Sequence, residues 1–163
     1  MKKCHGITGP FSIIVISDYP EVISIASKKA TERKIAAVEK HILIVDDERL
    51  ILFGLTEALK TESVQIKTAS TAASTLKAIA AFPDFDLFII DLTLPDMDGL
   101  DLAKNIKKDN PSAKFIFMSG KYRDKEDFIN NIEGGDDIEP CQFITKPFDF
   151  EKTQEIVFQA LEE

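Results

Sequence analysis

Five positions in this 163-residue chain carry side chains able to do chemistry together: the pair Asp46-Asp47, then Asp91, Ser119 and Lys146. Carboxylates gathered at one place repel one another, and without a counter-charge one is driven toward protonation. A hard dication resolves the conflict. Mg²⁺ prefers oxygen ligands, keeps several waters, and is commonly held by one or two carboxylates plus a phosphate. A carboxylate is also a competent nucleophile toward phosphorus. Phosphoryl transfer asks mainly for positioning and for charge against the equatorial oxygens. A lysine and a hydroxyl supply a charge and a hydrogen-bond donor. The set suffices to phosphorylate one aspartate, provided the fold brings it together.

The elements around these residues alternate. His41–Val45 is an apolar run that reads as a strand buried on both faces. Asp47 is placed to cap a helix through about Thr61, with Leu50, Leu52, Phe53, Leu55 and Leu59 at helical spacing. Val64–Ala69 is a second strand. Ser70 is placed to cap a helix over 71–81, with Ala72, Leu76, Ile79 and Ala80 inward, and Pro83-Asp84 ends it. Asp86–Ile90 is the third strand, with Asp91 at its end and a turn over Leu94–Gly99. A helix over Leu100–Lys108 stops at Asn110-Pro111. Lys114–Met118 is strand four, followed by a helix over about 124–132. Cys141–Thr145 is strand five, and Asp149 opens the last helix. Strand and helix alternating five times predict an α/β, doubly wound parallel sheet. Helical crossovers make the strands parallel and put their carboxyl ends on one edge, where ligands bind. Asp46-Asp47, Asp91, Ser119 and Lys146 all fall at that edge.

Composition excludes several classes. With 44% hydrophobic and 29% charged residues, the chain reads as globular. Aliphatic runs such as Ile13–Ile16 fall far short of the roughly 20 residues of a membrane helix. Met1-Lys2-Lys3 begins like a secretory signal, but Gly9, Pro10 and Asp18 interrupt the apolar stretch such a signal needs. Cys4 and Cys141 lack metal spacing and suit a reducing cytoplasm. Residues 1–40 hold 7 basic and 4 acidic side chains, so +3; residues 41–163 hold 13 and 24, so −11. An acidic domain of that kind repels nucleic acid.

Ile44-Val45-Asp46-Asp47-Glu48, Asp91-Leu92-Thr93-Leu94-Pro95-Asp96-Met97-Asp98-Gly99, Met118-Ser119-Gly120 and Lys146-Pro147-Phe148, in this order, resemble the CheY-like receiver domain of two-component response regulators. The resemblance covers residues 41–163 and not 1–40. It implies a flavodoxin-like (βα)5 fold with strand order 2-1-3-4-5. It implies that Asp91 accepts a phosphoryl group from a histidine kinase or phosphotransfer protein. Mg²⁺ would be held by Asp46, Asp47, Asp91 and the backbone carbonyl of Thr93. Ser119 would bond a phosphoryl oxygen, and Lys146 would pair with Asp91 and then with the phosphoryl group. Phe143, three residues before Lys146, stands at the family's aromatic switch position. Thr93 and Lys121 would flank the path of the hydrolytic water. The Lys-Pro bond is typically cis in the family.

Each residue also has a plainer reading. Asp46 or Asp47 alone can be a helix cap, Ser119 a turn residue, Lys146 a solvated charge and Phe143 ordinary core. His5 and His41 lack partner spacing. Gly134-Gly135-Asp136-Asp137 reads as a loop.

The segment from Ser119 to Lys146 is longer than usual for the family, with the excess around Glu133–Pro140. Residues 1–40 form an extension of unknown role; Phe11–Ile16 is a candidate sixth strand, and an alternative start at Val38 would remove most of the extension. With no helix-turn-helix expected after the last helix, output is expected through protein–protein contact, to an unidentified partner. A monomer or a phosphorylation-dependent dimer fits this, in the cytoplasm, with no membrane association. Two other functions compete with a phosphorylation switch. A degenerate receiver would act as a constitutive interaction module. A phosphohydrolase of haloacid-dehalogenase type would need an acid two residues after its nucleophile, where this chain has Thr93.

Overall fold

The computed structural model describes residues 39–132, 138 and 140–162. The candidate strand Phe11–Ile16 and the paired glycines at 134 and 135 lie outside the described residues. Five strands form one parallel sheet: β1 (Lys40–Val45), β2 (Val64–Ala69), β3 (Leu87–Asp91), β4 (Lys114–Ser119) and β5 (Gln142–Thr145), in the order β2-β1-β3-β4-β5. Five helices alternate with them: α1 (Arg49–Leu59), α2 (Ala72–Ala81), α3 (Gly99–Asp109), α4 (Lys125–Asn131) and α5 (Phe150–Glu162). This is the flavodoxin-like arrangement expected from the order of elements.

Strand side chains alternate between faces, so each strand feeds two cores. Leu43, Val45, Phe88, Ile90, Phe115, Phe117 and Phe143 enter one, with α2, α3 and α4 contributing Ala72, Leu102, Ile106 and Phe128. Ile42, Ile44, Leu87, Ile89, Ile116, Met118 and Ile144 enter the other, closed by Leu55 and Leu59 of α1 and Val157 and Ala160 of α5. Each fully buried aliphatic side chain contributes about 1.5–3 kcal/mol. Covering both faces accounts for the unbroken apolar runs in β1 and β3.

The local readings of α1 and α2 are corrected at their caps and faces. The cap of α1 is Glu48 rather than Asp47, and its side chain makes no capping bond. Leu50 and Phe53 of α1 point outward, 83% and 67% exposed, while Leu55 and Leu59 are buried. A helix apolar nearly all round has no unique inward face in its own sequence. The cap of α2 is Thr71 rather than Ser70, in a reciprocal box with Ser74; Ala72 and Thr75 are its buried residues, and Leu76 and Ala80 are exposed.

Candidate functional site

The carboxyl ends of the strands are level: Val45 of β1 pairs with Ile90 of β3, and hydrogen bonds one residue past the strands tie β1 to β2, β3 to β4 and β5 to β4. The Asp46 N–H donates to the Ala69 carbonyl at 3.1 Å, Leu92 to Met118 at 3.0 Å, and Lys146 to Ser119 at 2.9 Å. Asp46, Asp91, Ser119 and Lys146 therefore meet at one edge.

Carboxylate oxygens of Asp46, Asp47 and Asp91 lie within 4.8 Å of one another. Asp46 is fully buried, Asp91 nearly so, and Asp47 is exposed. A donor set of carboxylate oxygens alone, partly open to solvent, suits a hard dication. The Lys146 Nζ reaches into the cluster from the end of β5, 2.7 Å from Asp46 Oδ2 and 2.8 Å from Asp91 Oδ2. The Lys146-Pro147 peptide bond is cis. Burial by itself pulls the Lys146 ammonium down, but the Asp46 and Asp91 carboxylates outweigh it, so its pKa is raised and it stays charged. Burial pushes the Asp46 carboxyl up; the Lys146 contact and the Glu48 N–H oppose that, and neighbouring Asp91 adds to it. A dication beside Asp46 would act in the same sense as Lys146.

The remaining expected residues lie around this cluster. The Thr93 N–H donates to Asp91 Oδ1 at 3.2 Å, and Thr93 bridges Asp98 across the turn. Ser119 is buried, and its hydroxyl oxygen accepts the Lys121 N–H at 3.0 Å, which gives it a turn function beside the carboxylates. The Lys121 ammonium lies 5.1 Å from the centre of the Tyr122 ring. Phe143 is 9% exposed, stacked on Phe128 at 5.3 Å and set edge-on to Tyr122 at 6.3 Å. Its ring is core in this structure.

Three residues of the quoted motifs were given no role of their own from the sequence. Glu48 places Oε1 3.4 Å from Lys146 Nζ, and its N–H donates to Asp46 Oδ1 at 2.8 Å. Being third in an unbroken acidic run was the available signal. Asp96 accepts from the N–H groups of Ala72 and Ala73, tying the β3–α3 turn to the start of α2. Gly99 packs so closely on the Asp91 backbone that only a residue without Cβ fits.

The response regulator receiver domain family model matches residues 42–158. The chain is 36% identical over 107 residues to the transcriptional regulatory protein KdpE of Mycobacterium tuberculosis, covering 66% of this chain and 44% of KdpE. It is 34% identical over 120 residues to the DNA-binding transcriptional regulator NtrC of Azospirillum brasilense, covering 74% and 24%. The chain spans less than half the length of the curated relatives it matches. A CheY-like receiver domain protein from Methanospirillum hungatei superposes with a TM-score of 0.64 at 30% identity, over 76% of this chain and 94% of that one. No helix among the described residues is long and apolar enough to cross a membrane. Motif order, strand order and the match over residues 42–158 agree: the chain belongs to the response-regulator receiver domain family of two-component systems.

Proposed function

We propose that this chain is a phosphoacceptor switch in which Asp91 takes a phosphoryl group from a phosphohistidine of a histidine kinase or phosphotransfer protein. The observation that carries this reading is the Lys146 ammonium bridging Asp46 and Asp91 at 2.7 and 2.8 Å. An Asp91 oxygen attacks phosphorus, the P–N bond to the donor imidazole breaks, and the imidazole leaves with the bonding pair. Lys146 neutralises the oxygens of the group that arrives, and the Ser119 hydroxyl donates to one of them. Asp46, Asp47, Asp91 and the Thr93 carbonyl are the groups that would hold Mg²⁺, which supplies further positive charge against the phosphoryl oxygens. Phe143 is the candidate switch residue, and its buried ring would report the new charge by a change in packing. Residues 41–163 form the receiver and residues 1–40 an extension. The receiver would signal in the cytoplasm by contact with an output protein, as a monomer or a phosphorylation-dependent dimer.

The test is intact mass after incubation with acetyl phosphate, with and without Mg²⁺. The wild-type chain should gain one phosphoryl group only with Mg²⁺, and Asp91→Asn should gain none while keeping the fold. Phosphorylation of the Asn variant at the normal rate on another residue would overturn the assignment.

A further inference from the structure

Lys146 is held by three carboxylates, and the three contacts are unequal. Asp46 is fully buried at 2.7 Å, Asp91 nearly so at 2.8 Å, and Glu48 is 62% exposed at 3.4 Å. An ammonium has three N–H groups, so in this arrangement none is spare. When Asp91 is phosphorylated, the N–H now on its Oδ2 passes to the phosphoryl oxygens, and the greater negative charge of that group draws a second N–H from the ammonium. Taking it from Asp46 would strand a buried charge, which is strongly destabilising. Taking it from Glu48 costs little, because that contact is long and solvated.

Glu48 is also free to play this part. Its backbone serves the start of α1: the carbonyl accepts the N–H groups of Ile51 and Leu52. Its side chain makes no capping bond. The carboxylate on Lys146 is therefore not needed to begin the helix.

We propose that Glu48 is a positioning residue that competes with the phosphoryl group for Lys146. It holds the ammonium in the resting site and gives up its N–H when the Asp91 phosphoryl oxygens arrive, so it weakens the phosphorylated state relative to a site without it. This rests on the phosphoacceptor reading above.

The experiment measures beryllofluoride binding at saturating Mg²⁺ in the wild type, Glu48→Gln and Glu57→Gln, with the Lys146 ammonium followed by ¹⁵N NMR. Glu57 is an exposed acid of α1 and controls for net charge. Glu48→Gln should bind about two- to fivefold tighter, the range of an exposed ion pair. Glu57→Gln should match the wild type. The Lys146 ammonium resonance of Glu48→Gln should differ from wild type in the free protein and coincide with it in the beryllofluoride complex, a signature that mere destabilisation would not produce. Equal or weaker binding by Glu48→Gln, or equal tightening by Glu57→Gln, would overturn the inference while leaving Asp91 as acceptor. A wild-type protein that neither binds beryllofluoride nor gains a phosphoryl group from acetyl phosphate would overturn the proposed function, and this inference with it.

Discussion

Gly99 lies against the backbone carbonyl of Asp91 so closely that a Cβ would overlap it. The Gly99 N–H also donates to the Leu92 carbonyl at 2.9 Å. One glycine thus fixes where β3 ends and where the turn after it folds back. Gly99→Ala must push the Asp91 backbone aside, a steric insertion of the kind that costs about 1–3 kcal/mol. Denaturant unfolding should show that loss. Phosphorylation by acetyl phosphate should slow as well, because the displaced atoms belong to the acceptor residue. An alanine variant with wild-type stability and rate would show that the turn relaxes freely.

Mg²⁺ affinity should depend on Asp47 and Asp91 and hardly at all on Asp96 or Asp98. Asp96 is occupied at the start of α2, and Asp98 accepts the Leu100 N–H at the start of α3. Titrations of Mg²⁺ followed by NMR shifts, one per Asn variant, separate the two groups. Equal losses in all four would mean diffuse attraction by an acidic surface rather than a localised site.

The lifetime of the phosphorylated state should respond to Lys121 and Thr93. The Lys121 N–H holds the Ser119 hydroxyl oxygen, and the Thr93 N–H holds Asp91 Oδ1. Each side chain therefore projects from a backbone fixed to a site residue. Lys121 is exposed and cationic, with its ammonium over the Tyr122 ring in the resting site; if it swings onto the phosphoryl group, its removal should speed hydrolysis. Decay of the phosphoprotein in Lys121→Ala and Thr93→Ala is the measurement; rates equal to wild type in both would remove these positions from any timing role.

Acid should loosen the start of α2. The Ala73 and Ala72 N–H groups hold the Asp96 carboxyl below its ordinary value of 3.8. A depressed folded-state pKa stabilises the fold above the unfolded value, and that stabilisation is lost as pH falls through the folded one. Asp96→Asn should therefore be less stable than wild type at neutral pH, and the gap should narrow as pH falls past about 3.8 and close below the lower folded pKa. Chemical denaturation across pH 2–7 (about the usable range) reads this difference. A gap that stays constant across the range would show that the carboxylate charge contributes nothing at the cap.

Much of the site was legible because strand ends are legible. Apolar runs stop where β1 and β3 stop, and Asp46 and Asp91 stand at those stops. The alternation then brings the ends of four strands to one edge with no further information. Less accessible were features set by tertiary contact. Leu50 and Phe53 match a helix period as well as Leu55 and Leu59 do, and only the packing of α1 on the sheet and on α5 decides which pair is covered. Asp96 caps a helix that begins 24 residues earlier, so no local pattern marks it. Glu48 sits in plain view beside the aspartate pair, but its link to Lys146 spans 98 residues. Ser70 and Thr71 are both competent caps, and the choice fell to the residue with Ser74 at the reciprocal spacing.

The core shared by α1 and α5 joins distant parts of the chain. The ring of Phe150 sits on Gly54, and Gln154 donates to the Ala58 carbonyl 96 residues earlier. On a ribosome α1 therefore emerges long before the partner that covers it. At about 5–20 residues per second the delay is of the order of 5–20 s. During that interval Leu55, Leu59 and the matching face of the sheet have only each other and solvent. The growing chain should thus be most prone to chaperone capture after β4 is made, and should release when α5 clears the exit tunnel.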